Sequence, residues 1–141
     1  MNTIQKKRRT AMILNYLSVV VMLVLFYLVK LQVLEMIYLL LEIIPIVVII
    51  LTFHTAFIKS SIWKMTHSSS KELDEREMHV VLHATNISYS LFAIATLVII
   101  YIFILSGLGQ IDAVFAISLL YFAHILPASV IAWNEKGDTL E

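Results

Sequence analysis

Ile46-Val47-Val48-Ile49-Ile50-Leu51 carries no polar residue at any position. A strand of a membrane barrel alternates lipid-facing and lumen-facing residues, and this run does not alternate. Followed outward, it lies in an apolar segment from about Met36 to Ile58. A helix needs roughly 20 mostly apolar residues to cross hydrocarbon. Lipid offers the backbone no hydrogen-bond partners, so only helices and closed barrels can span it. Helix follows for this segment, and for three more of similar character: about Ala11 to Val29, Met78 to Leu105 and Ile111 to Trp133. The fold expected is all-α, an integral membrane four-helix bundle. Residues 1–141 form one membrane domain, with spans at about 11–29, 36–58, 78–105 and 111–133 and a cytoplasmic loop at 59–77.

Composition points the same way. Of 141 residues, 60% are hydrophobic and 14% charged, against about 25% charged in a soluble domain. Mean hydropathy is +0.91. Ten Lys+Arg balance ten Asp+Glu, which disfavours a basic nucleic-acid binder and an acidic disordered tail. Cysteine is absent, which removes disulfides, thiolate metal sites, iron–sulfur clusters and cysteine nucleophiles together. Three glycines and two prolines leave little material for phosphate-cradling loops. No G-x-S-x-G elbow is present, and the polar part is too small for a catalytic domain. No cofactor and no nucleic acid are expected.

Cations orient the spans. Lys6, Lys7, Arg8 and Arg9 precede the first; Lys59, Lys64, Lys71 and Arg76 lie between the second and third; Lys136 follows the fourth. With four spans these nine share one side and Lys30 alone lies on the other. Both termini are therefore expected on the cytoplasmic side. The Lys6–Arg9 cluster and the apolar run after it read as an uncleaved first span, since no small-x-small cleavage site follows. Tyr16, Trp63 and Trp133 would mark the inner interface and Tyr27, Tyr38 and Tyr101 the outer one. The outer connections are short: Lys30 to Glu35, and Ser106-Gly107-Leu108-Gly109-Gln110. In the inner loop Ser69 and Glu72 have capping-box spacing. They predict a helix that starts there and runs unbroken into the third span, roughly 54 Å long at about 1.5 Å per residue.

Polar groups inside hydrocarbon are costly and therefore candidates for function. Here they are Asn15, Glu42, His54, His83, Asn86, Asp112 and His124. Glu42 must enter the outer leaflet by about a turn. Glu35, seven residues earlier, would share its helical face, and Asp112 opens the fourth span at the same level. Together they could form an acidic mouth for cations; alternatively they only mark interfaces. Pro45 is expected to kink the second span, and Pro127 to loosen the fourth.

The third span has the best pattern. His79, His83, Asn86, Ser90 and Ala93 recur at steps of four and three, on one stripe. One reading is a packing seam of small and polar side chains. The other is a metal or proton site from Glu75, His79 and His83, completed by His54 or His124. Asn86 and His124 are expected to meet across helices. In Lys71 to Glu77, Asp74, Glu75 and Arg76 could dock a soluble partner, or form a solvated helix face with Glu72 paired to Arg76.

Leu73-Asp74-Glu75-Arg76-Glu77, followed by Val80-Val81-Leu82-His83-Ala84-Thr85, resembles a family of small prokaryotic multi-span membrane proteins of unknown function with an Asp-Glu-Arg segment before a membrane helix. The chain departs from that pattern at His83, where a basic residue would precede Ala. The resemblance implies an integral membrane protein, with Asp74, Glu75 and Arg76 as the family-like positions.

Three functions follow as expectations. The first is a small non-catalytic integral membrane protein of accessory, sensor or immunity type, acting by helix packing with itself or with another membrane or cytoplasmic protein. The second is a small transporter or ion-conducting oligomer using Glu42 and Asp112. The third is a metal-dependent membrane enzyme using the histidines.

Overall fold

The computed structural model describes residues 3–69, 72–107 and 110–134, and among these the chain is helical without strands. Ser70, Lys71, Leu108, Gly109 and Lys136, which entered the readings of loops and charge, lie outside the described residues. The chain divides into two compact units, residues 3–62 and 63–134.

In the first unit, helix α1 runs from Thr3 to Lys30. It starts well before the apolar run because Lys, Arg and Gln are good helix formers, so Lys6–Arg9 lie inside it. Gln5, Arg8, Ala11, Met12, Asn15 and Ser18 are its buried positions, at the three-and-four spacing of one helical stripe. The C-terminus closes with two bonds: Gln32 N–H to Val29 O at 2.9 Å and Val33 N–H to Leu28 O at 2.9 Å. That is a Schellman motif, with Gln32 in the left-handed position at φ 58°.

The second long segment is not one uniform helix. Met36–Glu42 is 3-10 helix, Ile43–Phe53 is α-helix (α2), and His54–Ile58 is a π turn. Pro45 explains the first switch. It has no N–H, and its ring would clash with the carbonyl of residue 41 in an α-helix, so the α-helical pattern begins only at Ile43. The expected kink is thus realised as a change of helix type. The 3-10 stretch also adds reach: about 2.0 Å per residue against about 1.5 Å, or roughly 3–4 Å over the stretch. The π turn is seen in Lys59 N–H bonding His54 O at 2.9 Å, an i to i+5 ring. Helix α1 packs against α2 and the π turn.

The connection between the second and third apolar segments holds a short helix, α3 (Ile62–His67), where only a polar loop was expected. In the second unit, α4 runs from Glu75 to Ser106 and α5 from Ala113 to Asn134. Helix α4 does continue into the apolar segment without a break, but it starts later than the Ser69–Glu72 spacing predicts. Glu72 N–H bonds Ser69 O at 2.9 Å in a turn, and the capping box is formed by Asp74 and Glu77. Glu77 N–H donates to Asp74 Oδ1 at 2.7 Å and Asp74 N–H to Glu77 Oε2 at 3.2 Å. Acidic Glu75 and Glu77 in the first turn favour this start through the helix dipole. Glu72 precedes the helix, so it does not share a helix face with Arg76. Gly107, at φ 64°, ends α4 in the left-handed conformation.

Helices α4 and α5 pack together, with Phe103 against Phe115 at 5.0 Å between ring centres and Phe92 against Phe122 at 6.3 Å. Helix α5 passes Pro127 without a break.

Among the described residues, four segments are long and apolar enough to cross a membrane: Thr3–Lys30, Met36–Ile58, Glu75–Ser106 and Ala113–Asn134. In the most apolar stretch of each, only 11–33% of residues are buried. Large side chains such as Val24, Ile44, Ile50, Leu97, Ile104 and Leu120 are exposed.

Candidate functional site

Side chains with chemistry gather at two places, one in each unit. In the first unit Asn15 is fully buried on the face of α1 that meets α2. Its Nδ2 donates to Ile49 O and to Thr52 Oγ1, both at 3.0 Å. The Thr52 hydroxyl, also buried, donates to Val48 O at 2.6 Å. A carboxamide has two N–H donors, and here one points at each acceptor. The sequence displays Asn15 as a polar residue but says nothing of Thr52, because the pair is 37 residues apart.

Glu42 stands where the 3-10 helix becomes α2. Its Oε1 is buried and has no hydrogen-bond partner among the described residues. Glu35 does not share its face. Seven residues advance an α-helix by almost two full turns, but a 3-10 helix of three residues per turn by about two and a third, which leaves the two carboxylates about 120° apart. Asp112 belongs to the second unit and caps α5: its Oδ1 accepts from Phe115 N–H at 2.9 Å. His54 is exposed at the start of the π turn, and its carbonyl closes that turn.

On α4 the stripe of His79, His83, Asn86 and Ser90 is exposed. The buried positions are Ala84, Ser88 and Phe103, and Phe92 and Phe103 carry α4 onto α5. At about 100° per residue the polar stripe lies roughly 120–180° around the helix from Phe92. It is therefore not the seam between α4 and α5, which carries the Phe92–Phe122 and Phe103–Phe115 ring pairs instead. Among the described residues no group of three or more His, Asp or Glu is placed to hold a metal ion, so Glu75, His79 and His83 do not gather a third or fourth ligand from His54 or His124. Asp74 is spent on the helix cap; Glu75 and Arg76 are exposed beside it.

The second gathering is in the second unit. His124 meets His67 rather than Asn86: their Nε2 atoms are 3.3 Å apart. Trp63 stacks on His67 at 3.9 Å between ring centres and lies 5.3 Å from the His124 ring. His67 Nδ1 is 2.9 Å from Trp63 O. A carbonyl only accepts, so this contact is a hydrogen bond in the tautomer with the proton on Nδ1, and in that neutral tautomer Nε2 presents its lone pair to His124. Helix α3 makes this possible by placing Trp63 and His67 one turn apart. His67 was not among the polar residues singled out from sequence. The signal available was the Trp-x-x-x-His spacing.

No family model, curated protein or solved structure matches the chain.

Proposed function

We propose that this is a four-span integral protein of a prokaryotic cytoplasmic membrane, a four-helix bundle with both termini and the 59–77 loop inside. It acts without catalysis, through helix packing with itself or with a partner, in an accessory, sensor or immunity-type role. The exposed apolar surface of all four long segments supports membrane residence, since soluble monomers rarely expose apolar patches of more than a few hundred Å². The nine-to-one split of cations supports the orientation.

The observation that carries the packing role is the stripe of His79, His83, Asn86 and Ser90 on the face of α4 turned away from Phe92 and Phe103. Polar groups on a membrane helix are costly against lipid and hydrogen-bond well across a helix interface. The chain has no cysteine, so Asn86→Cys introduces a unique thiol. In native membranes it should cross-link to a second copy or to one defined partner, while Leu97→Cys should not. Equal cross-linking from both positions, or none from either, refutes the packing role. A periplasm-dependent reporter fused at the C-terminus should be silent; activity there refutes the orientation.

A second reading, an ion-conducting oligomer, is favoured by one observation: the buried, unpartnered Oε1 of Glu42. It requires cation flux in proteoliposomes that Glu42→Gln abolishes. Asp112 contributes less to that reading, because one of its oxygens already serves the cap of α5.

A further inference from the structure

The geometry points to a divalent transition-metal site made by Nε2 of His67 and Nε2 of His124, with water or a donor from outside the chain in the remaining positions.

Three features agree. The first is separation. Two imidazole nitrogens at about 2.0–2.1 Å from one tetrahedral zinc stand about 3.4 Å apart; these stand 3.3 Å apart. Ring centres provide a second measure. They are 5.0 Å apart, close to the about 5.2 Å that a shared tetrahedral ion would give.

The second feature is the support behind His67. A metal-ligating histidine almost always donates its other ring N–H to a carbonyl or carboxylate, which fixes its tautomer and orientation. His67 Nδ1 does this to Trp63 O at 2.9 Å, and Thr66 Oγ1 lies 3.0 Å from the same nitrogen. The stacked indole of Trp63, tilted by 27°, limits ring rotation further.

The third feature is the surface position. Neither imidazole is covered by other parts of the chain, so the protein itself does not close the remaining coordination positions. Imidazole suits zinc, copper and nickel, and copper(II) binds a given nitrogen set more tightly than zinc. Two protein ligands describe a site that loads and releases its ion rather than a closed structural centre, which would use four.

The test uses the full chain in detergent with Trp133→Phe, which leaves Trp63 as the sole tryptophan. Copper(II) is titrated while Trp63 fluorescence is read. Quenching should saturate at one ion per chain, and only a large excess of zinc should compete it away. His67→Ala and His124→Ala should each weaken binding at least tenfold, since even losing a residue that merely orients a ligand lowers affinity about 10–100-fold. His79→Ala and His83→Ala should leave it unchanged. His124→Cys should restore binding through a thiolate, which separates loss of a ligand from loss of fold. Quenching that never saturates, that survives both His67→Ala and His124→Ala, or that disappears with His83→Ala would overturn the assignment. So would a His124→Cys variant that is helical and monodisperse yet binds no better than His124→Ala.

Discussion

Asn15 joins α1 to α2, and the strength of that joint can be worked out before it is measured. Its two hydrogen bonds, to Ile49 O and Thr52 Oγ1, are both 3.0 Å and buried at the Thr52 end. Interhelical bonds in membrane proteins contribute about 0.6 kcal/mol on average and at most about 1.7. Asn15→Leu, similar in volume, should therefore lower stability by about 1–3 kcal/mol. Thr52→Val removes the bond from Asn15 to Thr52 Oγ1 and the hydroxyl's own bonds to Val48 O and Ile49 O. A double-mutant cycle between the two positions isolates one bond, so the coupling should be about 0.6–1.7 kcal/mol, or roughly 3- to 18-fold in the unfolding constant. Asn15→Asp makes the sharper contrast. It replaces a donor with an oxygen 3.0 Å from the Ile49 carbonyl, so two acceptors face each other and a buried carboxyl must be accommodated. Its effect should exceed about 3 kcal/mol. Reversible unfolding in mixed micelles of increasing SDS content reads the wild type, the two single variants of the cycle, their double variant and Asn15→Asp. A coupling within about 0.3 kcal/mol of zero, or an Asn15→Asp variant as stable as Asn15→Leu, would refute the role given to this residue.

Substitutions at four further positions test the helix ends and the composite span. Asp74→Ala should cost about 1 kcal/mol and speed amide exchange over Glu75–Met78, whereas Asp74→Asn should keep most of the protection. Gln32→Gly should raise stability by about 0.5–1 kcal/mol, because φ 58° is strained for any residue with a Cβ. Gly107→Ala should lower it by about the same amount for the converse reason; calorimetry in detergent measures both. Pro45→Ala should let α-helix extend back through residue 41, which shortens the separation of spin labels placed at residues 36 and 53 by up to roughly 3–4 Å.

The long helices could be read from sequence because their cause is local. Runs such as Ile46–Leu51 have one chemical character over a length that only a helix can use. The helix ends were read less well for a related reason. Polarity marks where an apolar run stops, but Lys6–Arg9 are competent helix formers and continue α1 to Thr3. Ser69–Glu72 and Asp74–Glu77 both have the spacing of a capping box, and the choice between them depends on the run of charge that follows. The side-chain gatherings were the least accessible. Asn15 with Thr52 and His67 with His124 are 37 and 57 residues apart, and periodicity shows which residues share a face without showing what that face meets. The stripe on α4 illustrates the point: spacing groups its members on one face, but the helix meets α5 through Phe92 and Phe103 on another.

The π turn at His54–Ile58 has a consequence for how this polypeptide could change over generations. Each of its wider rings encloses one residue more than an α-helical ring does, so the turn holds a surplus amino acid. Deleting a single codon within it should relax the turn to ordinary winding and leave the rest of the hairpin in register, whereas the same deletion in Ile46–Leu51 would rotate Thr52 away from Asn15. Survival of one deletion and loss of the other, read from expression of the two variants, would mark this turn as the place where the span's length can drift.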